Sequence, residues 1–506
     1  MQRKNKILRD ITQFSGATFI STLILMLREL IIARFLSPSF YGTWHLFKVM
    51  IDHGRHISLG MGWTMQKDIP EYLGQGRKDK SEEAKDITIS SILILSTTAC
   101  ILFIFAGKAF LTLSDFSITM GHIILFSCFL YIQQINNFLL MLLSAYQRFS
   151  FKSKVIVLQA LLSVIFIFIF IGRLKVTGII LALFCSYFLT SGASILKMRY
   201  RFRFTLNIKE AFKMIKEGIT ILTNGFLLNL MEAADRILVG LLLSSTQLGY
   251  YGLAFASAKF IGLIPTAIGE ALFPSLAEKY GQKQDIEHIR NYVVKPRLAF
   301  AYIAPFIIGA AYFSVDLIIL YFLPQYVPGI KAVKITLLFS FFAVLPLGLV
   351  YFFFTLGDIR KVLGLRLVSI LLEVALVFIF VKYGFGIEGA AVGRGLSYLF
   401  FSLVLLYLAY RYYVKKTKQI LIYLFETVFP CVYTLLFLLA FDFAIRISGQ
   451  NILSDLFKLA IKSLLLAMVS FPLWVYLNKQ INILDEIKAL LVKSKIGLDS
   501  EEEINE

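Results

Sequence analysis

Charged residues are scarce in this chain: they make up 16% of its 506 residues, where a soluble domain carries about 25%. Proline is also rare, with 11 residues, whereas hydrophobic residues account for 58% and phenylalanine alone occupies 48 positions. Apolar stretches of about 20 residues recur along the chain, each long enough to cross a hydrocarbon core roughly 30 Å thick. Since backbone in lipid must satisfy its own hydrogen bonds, the sequence predicts an all-α polytopic membrane protein.

Residues that would support catalysis or metal binding are few as well. The four cysteines are scattered through apolar stretches, which indicates packing and not disulfides or a metal site. The five histidines form no HExxH motif, and the sequence has no Walker-type phosphate loop. The segments between apolar stretches are too short for a soluble catalytic domain. We therefore expect no cofactor, no metal and no enzymatic activity.

Charged or turn-rich breaks divide the chain into about fourteen predicted transmembrane helices. The second is the least apolar, but Gly42–Thr64 has the length of a membrane helix, and omitting it would break the alternation of charge in the following loops. The predicted spans are centred near Thr22, Asp52, Ser96, Tyr131, Ile165, Cys185, Leu230, Ile261, Ile308, Phe342, Leu371, Phe400, Tyr433 and Leu466.

Lysine and arginine number 51 against 32 acidic residues, which gives a net charge of +19. With both termini in the cytoplasm, most of this excess falls on inner segments, as the positive-inside rule requires. The charge therefore reports topology, and we expect no nucleic-acid partner. The first apolar stretch is too long for a signal peptide and lacks a small-residue cleavage site, which predicts an uncleaved first span.

An internal repeat organises the chain. Phe35–Gly42 after span 1 is similar to Leu242–Gly252 after span 7, since Leu-Ser is followed by Tyr-Gly in both. We interpret this as two parallel-repeat six-helix lobes around a central cavity, with two extra C-terminal helices; chance similarity between apolar helices is the alternative. The predicted domains are residues 1–200 (spans 1–6), 201–416 (spans 7–12), 417–478 (spans 13 and 14) and a cytoplasmic tail, 479–506.

Ionisable residues interrupt several of these spans. Each costs roughly 3 kcal/mol at the bilayer centre on insertion scales, so a chain carrying many of them must turn them toward a wet cavity. They concentrate in spans 1, 2, 7 and 8, whereas spans 3, 5 and 6 are nearly free of charge. The set comprises Arg28, Glu29, Lys48, Asp52, Arg55, Glu232, Asp235, Arg236, Lys259, Glu270, Glu373 and Arg394.

Four stretches, Leu27–Gly42, Asp235–Gly240, Leu248–Ala254 and Leu272–Glu278, resemble the polysaccharide-biosynthesis flippases of the multidrug/oligosaccharidyl-lipid/polysaccharide exporter superfamily. The number and order of spans match as well, so the resemblance covers the whole chain. It implies a multi-pass protein of the bacterial inner membrane that works by alternating access. The implied substrate is an undecaprenyl-pyrophosphate-linked oligosaccharide repeat unit, moved to the outer leaflet for O-antigen, lipopolysaccharide or exopolysaccharide synthesis.

The implied substrate predicts a cationic binding site, because a pyrophosphate that crosses the bilayer needs positively charged partners. The predicted pyrophosphate-binding residues are Arg28, Lys48, Arg55, Arg236, Lys259 and Arg394. Lys48, Asp52 and Arg55 have helical spacing and would share one face of span 2. In relatives with fourteen spans, the extra pair offers an apolar groove for the lipid tail. Here Val428–Ala440 and Leu464–Leu477 are apolar enough to form one, with peripheral packing as the alternative.

Sugars need amides, hydroxyls and aromatic faces, and span 4 carries a polar patch of this kind. Tyr131, Gln133, Asn136 and Asn137 are the predicted sugar-binding residues, with hydrogen bonding between helices as the alternative. Coupling to H⁺ or Na⁺, or charge pairing, is assigned to the acids Glu29, Asp52, Glu232, Asp235 and Glu373. Structural ion pairs such as Arg28 with Asp52 are the competing interpretation, and Glu29 is expected to orient a neighbouring cation.

Other functions stay open at this point. A flippase for the peptidoglycan lipid precursor would use the same cationic cavity, and a cation-coupled multidrug exporter would prefer an acidic or apolar one. A membrane-embedded glycan polymerase or transferase is a remote alternative. We expect a monomer that contacts membrane lipids and lipid-linked oligosaccharide, and that works beside polysaccharide polymerase or chain-length machinery.

Overall fold

A computed structural model describes residues 2–113, 118–283 and 286–481, and these ranges are almost entirely α-helical. The predicted tail lies outside the described residues apart from its first three positions, and so do the side chains of Glu270 and of most of Leu272–Glu278. The helices are α1 (Gln2–Phe35), α2 (Pro38–Gly54), α3 (Met61–Gly74), α4 (Lys78–Leu113), α5 (Met120–Ala145), α6 (Phe149–Met198), α7 (Ile208–Leu242), α8 (Ser245–Lys283), α9 (Ile286–Phe322), α10 (Ile330–Val344), α11 (Leu347–Thr355), α12 (Ile359–Lys382), α13 (Gly386–Tyr410), α14 (Thr417–Ala444) and α15 (Ile452–Ile481).

Ten segments of the described chain are long and apolar enough to cross a membrane. One of them, α6, is 50 residues long and is broken at Lys175, whose φ of 49° and ψ of −122° are not helical, so it supplies two spans. The charged helical segments α2–α3, α7 and α8 are not among these ten, although each has the length of a span. Together they give about fourteen spans, and the predicted all-α polytopic fold is confirmed.

The second span differs from the continuous helix predicted over Gly42–Thr64. Helix α2 ends at Gly54, a 3-10 turn covers Arg55–Ser58, and α3 begins at Met61. Leu59 and Gly60 between them have positive φ angles of 48° and 84°, a conformation that glycine adopts without a steric penalty. The backbone of Gly60 also lies against that of Gly218 on α7, where a Cβ would leave too little space. Hydropathy and periodicity do not detect left-handed residues, so the sequence analysis predicted a continuous helix across this break.

The described chain forms two compact units. Unit 1 comprises Met1–Ala256 and Arg366–Arg394, and unit 2 comprises Ser257–Leu365 and the chain from Gly395 onward. Within unit 1, α1 packs along α6, and α5 packs between α4 and α6. Met61, Phe138 and Leu142 are among the residues of an apolar core formed by α3, α4, α5 and α7. The lobe boundaries at residues 200 and 416 remain a prediction.

The starts of α2 and α8 cross closely within unit 1. A Cβ at Gly42 would overlap the carbonyl oxygen of Ser245, and a Cβ at Gly249 would overlap that of Pro38. Pro38 and Gly42 have the same spacing in sequence as Ser245 and Gly249, so the two contacts are reciprocal. Such reciprocity is the mark of a local two-fold axis, here between the two segments that the sequence analysis identified as repeats.

Unit 2 is built around α9. Helices α10, α14 and α15 all pack against it, and Tyr312, Phe313, Leu438 and Leu466 form an apolar core among them. The extra C-terminal pair, α14 and α15, is therefore an integral part of this unit's packing.

Candidate functional site

One cluster of charges in unit 1 is organised by Glu29. Its carboxylate lies 3.3 Å from Nη2 of Arg28 and 3.0 Å from Nζ of Lys48, while Nη1 of Arg28 lies 3.5 Å from Oγ of Ser163 on α6. The three charged side chains are 11–16% exposed. The cluster joins α1, α2 and α6, and both Arg28 and Lys48 pair with Glu29. The partner of Arg28 is thus Glu29, and not Asp52, the example offered by the ion-pair interpretation.

The broken end of α2 is held by side-chain amides. Nε2 of Gln133 donates to the carbonyl of Ile51 at 3.3 Å, and Nε2 of Gln134 donates to that of Gly54 at 2.7 Å. Nδ2 of Asn229, on α7, donates to the carbonyl of Asp52 at 3.1 Å. Carbonyls at a helix C-terminus have no partner in the helix, so these amides compensate for the break in span 2.

Two of the predicted sugar-binding residues are buried in this packing. Gln133 caps α2, and Nδ2 of Asn136 lies 3.2 Å from Oγ of Ser191 on α6. Both side chains are at most 1% exposed, an arrangement that matches the alternative of hydrogen bonding between helices. Tyr131 and Asn137 are partly exposed and are the two members of the set with surface to offer a ligand.

A second cluster in unit 1 surrounds Asp235. Its Oδ2 accepts hydrogen bonds from Nη1 of Arg394 and from the Tyr251 hydroxyl, both at 2.7 Å, and its Oδ1 accepts one from the backbone N–H of Arg236 at 2.7 Å. Asp235 is fully buried. The buried carboxylate therefore has the charged and polar partners that offset its desolvation, and it ties α7 to α8 and α13.

Two charged groups beside Asp235 are less well partnered. Neither carboxyl oxygen of Glu373, on α12, makes a hydrogen bond of good geometry within the described chain, although its side chain is fully buried. The Arg236 guanidinium lies 3.5 Å from the Phe255 ring centroid and donates to the carbonyl of Glu232 at 3.1 Å. Its Nε and Nη1 have no hydrogen-bond partner among the described residues. The Asp235 cluster therefore contains hydrogen-bond acceptors on Glu373 and donors on Arg236 that make no hydrogen bond of good geometry within the described chain.

The remaining candidates are placed differently. Arg55 lies in the 3-10 turn after α2; it is exposed and forms no ion pair with any residue that the structure describes. Lys259 is exposed on the part of α8 that belongs to unit 2. Asp52 and Glu232 are partly buried, and both contribute to the electrostatic field at Arg236.

Sequence analysis missed a charged network in unit 2. Nζ of Lys334 lies 2.7 Å from Asp316 and 2.8 Å from Asp442, and Nζ of Lys462 lies 2.7 Å from Asp442. The Tyr312 hydroxyl donates to Asp442 at 3.2 Å. The network joins α9, α10, α14 and α15. These residues also interrupt apolar spans, so the signal that singled out Arg28 and Glu29 could have found them.

Comparison with known proteins identifies the class. The family model described as polysaccharide biosynthesis protein matches residues 31–331, which is more than half of the 506-residue chain. The matched segment contains Lys48, Asp235, Arg236 and Tyr251 of the two unit 1 charge clusters, whereas Arg28, Glu29, Glu373 and Arg394 lie outside it. The chain is a multi-pass membrane protein that belongs to the polysaccharide biosynthesis protein family.

Solved structures of membrane transporters and of a lipid flippase share the fold. An inward-facing multidrug resistance MATE family transporter of the MOP superfamily is 17% identical, with a TM-score of 0.66 over 80% of this chain and 98% of that one. The lipid II flippase MurJ, in an inward closed conformation, is 12% identical, with a TM-score of 0.69 over 91% of this chain and 99% of that one. The Vibrio cholerae MATE transporter VcmN is 16% identical, with a TM-score of 0.53 over 81% and 98%. No curated protein sequence matches the chain.

Proposed function

We propose that this protein is a flippase of the bacterial inner membrane, with both termini in the cytoplasm. It moves an undecaprenyl-pyrophosphate-linked oligosaccharide repeat unit from the cytoplasmic to the outer leaflet for surface polysaccharide synthesis. Membership of the polysaccharide biosynthesis family supports the pathway, and the fold shared with MurJ suits the movement of a lipid-linked sugar. We assign it transport and no enzymatic activity.

The observation that carries the proposal is the presence of three cations, Arg28, Lys48 and Arg55, on α1, on α2 and in the turn that follows α2. Arg28 and Lys48 share one carboxylate, and Arg55 forms no ion pair with any described residue. A diphosphate binds such cations through charge-assisted hydrogen bonds that are stronger than those between neutral groups. Glu29 holds Arg28 and Lys48 in position before the substrate arrives. Tyr131 and Asn137 are the residues of span 4 assigned to the sugar.

Coupling is assigned to the Asp235 cluster. A buried carboxyl without good partners is far less costly when neutral, so Glu373 carries a proton while Arg394 pairs with Asp235. When Glu373 loses that proton, two carboxylates compete for Arg394, and the pairing of α12 with α13 changes. Under this proposal the driving ion is H⁺, and the differential pairing of Arg394 links protonation to conformation.

The test is export of surface polysaccharide in cells whose own copy of this gene is deleted. Arg55→Ala and Arg28→Ala are expected to abolish export at normal protein levels, because a cationic contact to the diphosphate is lost. Arg173→Ala, which removes another exposed arginine of unit 1, is the matched control and should export normally. Wild-type surface polysaccharide in both the Arg55 and the Arg28 variant would refute the phosphate assignment.

The same strains separate the alternatives. Rescue of cells depleted of MurJ would identify the peptidoglycan lipid precursor as the substrate. Increased resistance to cationic drugs, with no effect on polysaccharide, would identify a multidrug exporter. We expect neither result, because the residues assigned to the substrate, Arg28, Lys48 and Arg55, are cations and the family is that of polysaccharide biosynthesis.

A further inference from the structure

Arg297 of unit 2 is a buried cation without a counter-ion. It lies in α9, four residues into the apolar segment Val293–Phe322, and is 8% exposed. No carboxylate of the described chain lies within ion-pair distance, and its Nε has no hydrogen-bond partner there. Glu426 on α14 contributes to the electrostatic field at Arg297 without contacting it. Arg297 plays no part in the proposed transport site of unit 1.

The guanidinium is held by an aromatic ring instead. Its Cζ lies 4.6 Å from the ring centroid of Tyr410. The Tyr410 hydroxyl is fixed in turn by Thr427, 3.1 Å away, and the Tyr423 ring packs 5.6 Å from that of Tyr410. A guanidinium stacked on a ring face keeps its N–H groups in its own plane, where they can form a fork to a phosphate or carboxylate.

The stacking alone does not compensate for burial. Cation–π contacts with desolvated groups are weaker than the penalty for taking a charge out of water, so a buried cation is retained where an anion or strong acceptor meets it. The described protein supplies no such anion at Arg297. The missing partner must come from outside the described chain.

The position and surroundings indicate what that partner is. Arg297 follows the start of α9, Tyr410 ends α13, and Tyr423 lies near the start of α14, so all three lie near one membrane surface. Amphipathic aromatic residues are typical of the headgroup level, and basic pockets between helices at this level bind lipid headgroups. Charge alternation in the loops predicts that this surface is cytoplasmic.

An apolar cavity of about 140 Å³ lies further along α9 and α14, with Pro305 and Ile308 on one wall and Cys431 and Leu438 on another. Eight residues separate Arg297 from Pro305, which is about 12 Å along a helix. A ligand that fits both features has an anionic head and an apolar chain. We propose that Arg297 and Tyr410 form a binding site for the phosphate of an anionic membrane phospholipid, with its acyl chain in this cavity.

The experiment uses delipidated full-length protein in detergent, titrated with phosphatidylglycerol, with bound lipids counted by native mass spectrometry. Arg297→Gln is expected to weaken the first lipid-binding step roughly tenfold, because one charge-assisted contact is lost. Arg411→Gln, which changes an exposed arginine directly after α13, is the matched control and should bind as the wild type does. Phosphatidylglycerol should also raise the melting temperature of the wild type, but not of the variant.

Further variants keep the result interpretable. Arg297→Lys keeps the charge but loses the fork, so a folded protein with several-fold weaker binding is expected even if the glutamine variant fails to fold. Glu426→Gln should leave lipid binding intact; a melting temperature lowered equally by Glu426→Gln and Arg297→Gln, with unchanged lipid affinity, would make Arg297 part of a structural pair and overturn the proposal. Inorganic phosphate that binds through Arg297 while phosphatidylglycerol does not would overturn the lipid assignment. Equal affinity of wild type and both Arg297 variants would also overturn it.

Discussion

The four-helix network of unit 2 and the Asp235 cluster of unit 1 both bury charge, but they balance it differently. In unit 2, Asp316 and Asp442 face Lys334 and Lys462, and all four make ion pairs of 2.7–2.8 Å. In unit 1, Asp235 takes three donors while Glu373, also buried, has no hydrogen bond of good geometry within the described chain. The unit 2 network is therefore neutral and fully paired, whereas the Asp235 cluster contains a buried carboxyl group, that of Glu373, without a hydrogen bond of good geometry.

The difference separates two reasons for keeping charge inside a membrane. A neutral, fully paired set holds helices together and loses stability when one member is removed. A buried acid without a hydrogen bond of good geometry contributes little to stability, so its retention requires another explanation, and intramembrane acids of this kind commonly take part in proton transfer. Stability and transport measurements on matched variants can therefore test the distinction directly.

The largest effect on stability is expected from Asp442→Asn. The change leaves Lys462, which is fully buried, without its anion, and breaking a buried pair costs about 3–5 kcal/mol. Because the Asp442 side chain is 21% exposed, we expect about 3 kcal/mol, the lower end of that range. Unfolding of the purified protein in detergent measures it. The double variant Asp442→Asn with Lys462→Met should recover much of the loss, and wild-type stability of the single variant would show that the network does not hold these helices.

A smaller loss is expected from Tyr251→Phe, which removes one of the three hydrogen bonds to Asp235 and leaves the ring in place. A hydrogen bond to a charged group contributes about 1.5–3 kcal/mol, and the remaining donors from Arg394 and Arg236 place the loss near the lower limit. Tyr187→Phe is the control, because the Tyr187 hydroxyl makes no hydrogen bond with the described residues. Equal stability of the two variants would mean that Asp235 does not depend on Tyr251.

The smallest change in stability, and a large change in transport, is expected from Glu373→Gln. Glutamine resembles the protonated acid and loses no hydrogen bond, so unfolding should change by less than about 1 kcal/mol. Transport should fall about tenfold, which corresponds to a coupling energy of about 1.4 kcal/mol, and should no longer respond to a proton gradient. Flipping of a lipid-linked sugar in proteoliposomes measures both. Glu388→Gln, in the first turn of α13, is the control; a fully active, gradient-sensitive Glu373 variant would remove this acid from the coupling mechanism.

Hydropathy and charge predict the class of fold well, because apolar runs of about 20 residues have few alternatives to membrane helices. The same argument singles out Arg28, Glu29, Asp235 and Arg394 as charges within spans; the last three are buried and Arg28 is partly buried. It does not say which helices are neighbours, and so it offered Asp52 as an example partner for Arg28, whose partner is the adjacent Glu29. Pairing within a membrane depends on helix rotation and tilt, which the spacing along one helix does not determine.

Breaks in a helix are the other feature of the structure that sequence periodicity does not predict. The stripe of Lys48, Asp52 and Arg55 assumed a continuous helix, whereas Arg55 lies in a 3-10 turn and Leu59 and Gly60 turn left-handed. The amide patch of span 4 was assigned to sugar, but Gln133 donates to the carbonyl of Ile51 at the end of α2. A polar residue in a span can form hydrogen bonds either with a ligand or with another helix, and only the three-dimensional contacts distinguish the two.

The broken end of α2 also has a consequence for synthesis at the ribosome. Its carbonyls accept amides from Gln134 and Asn229, which follow their partners by 80 and 177 residues along the chain. At roughly 5–20 residues per second, about 10–35 s pass between the emergence of α2 and that of Asn229. A segment with open carbonyls and several charges does not partition alone into lipid during that interval. We therefore predict that span 2 stays beside the translocation machinery until helix α7 emerges, so that its insertion is a late event in the biogenesis of the protein.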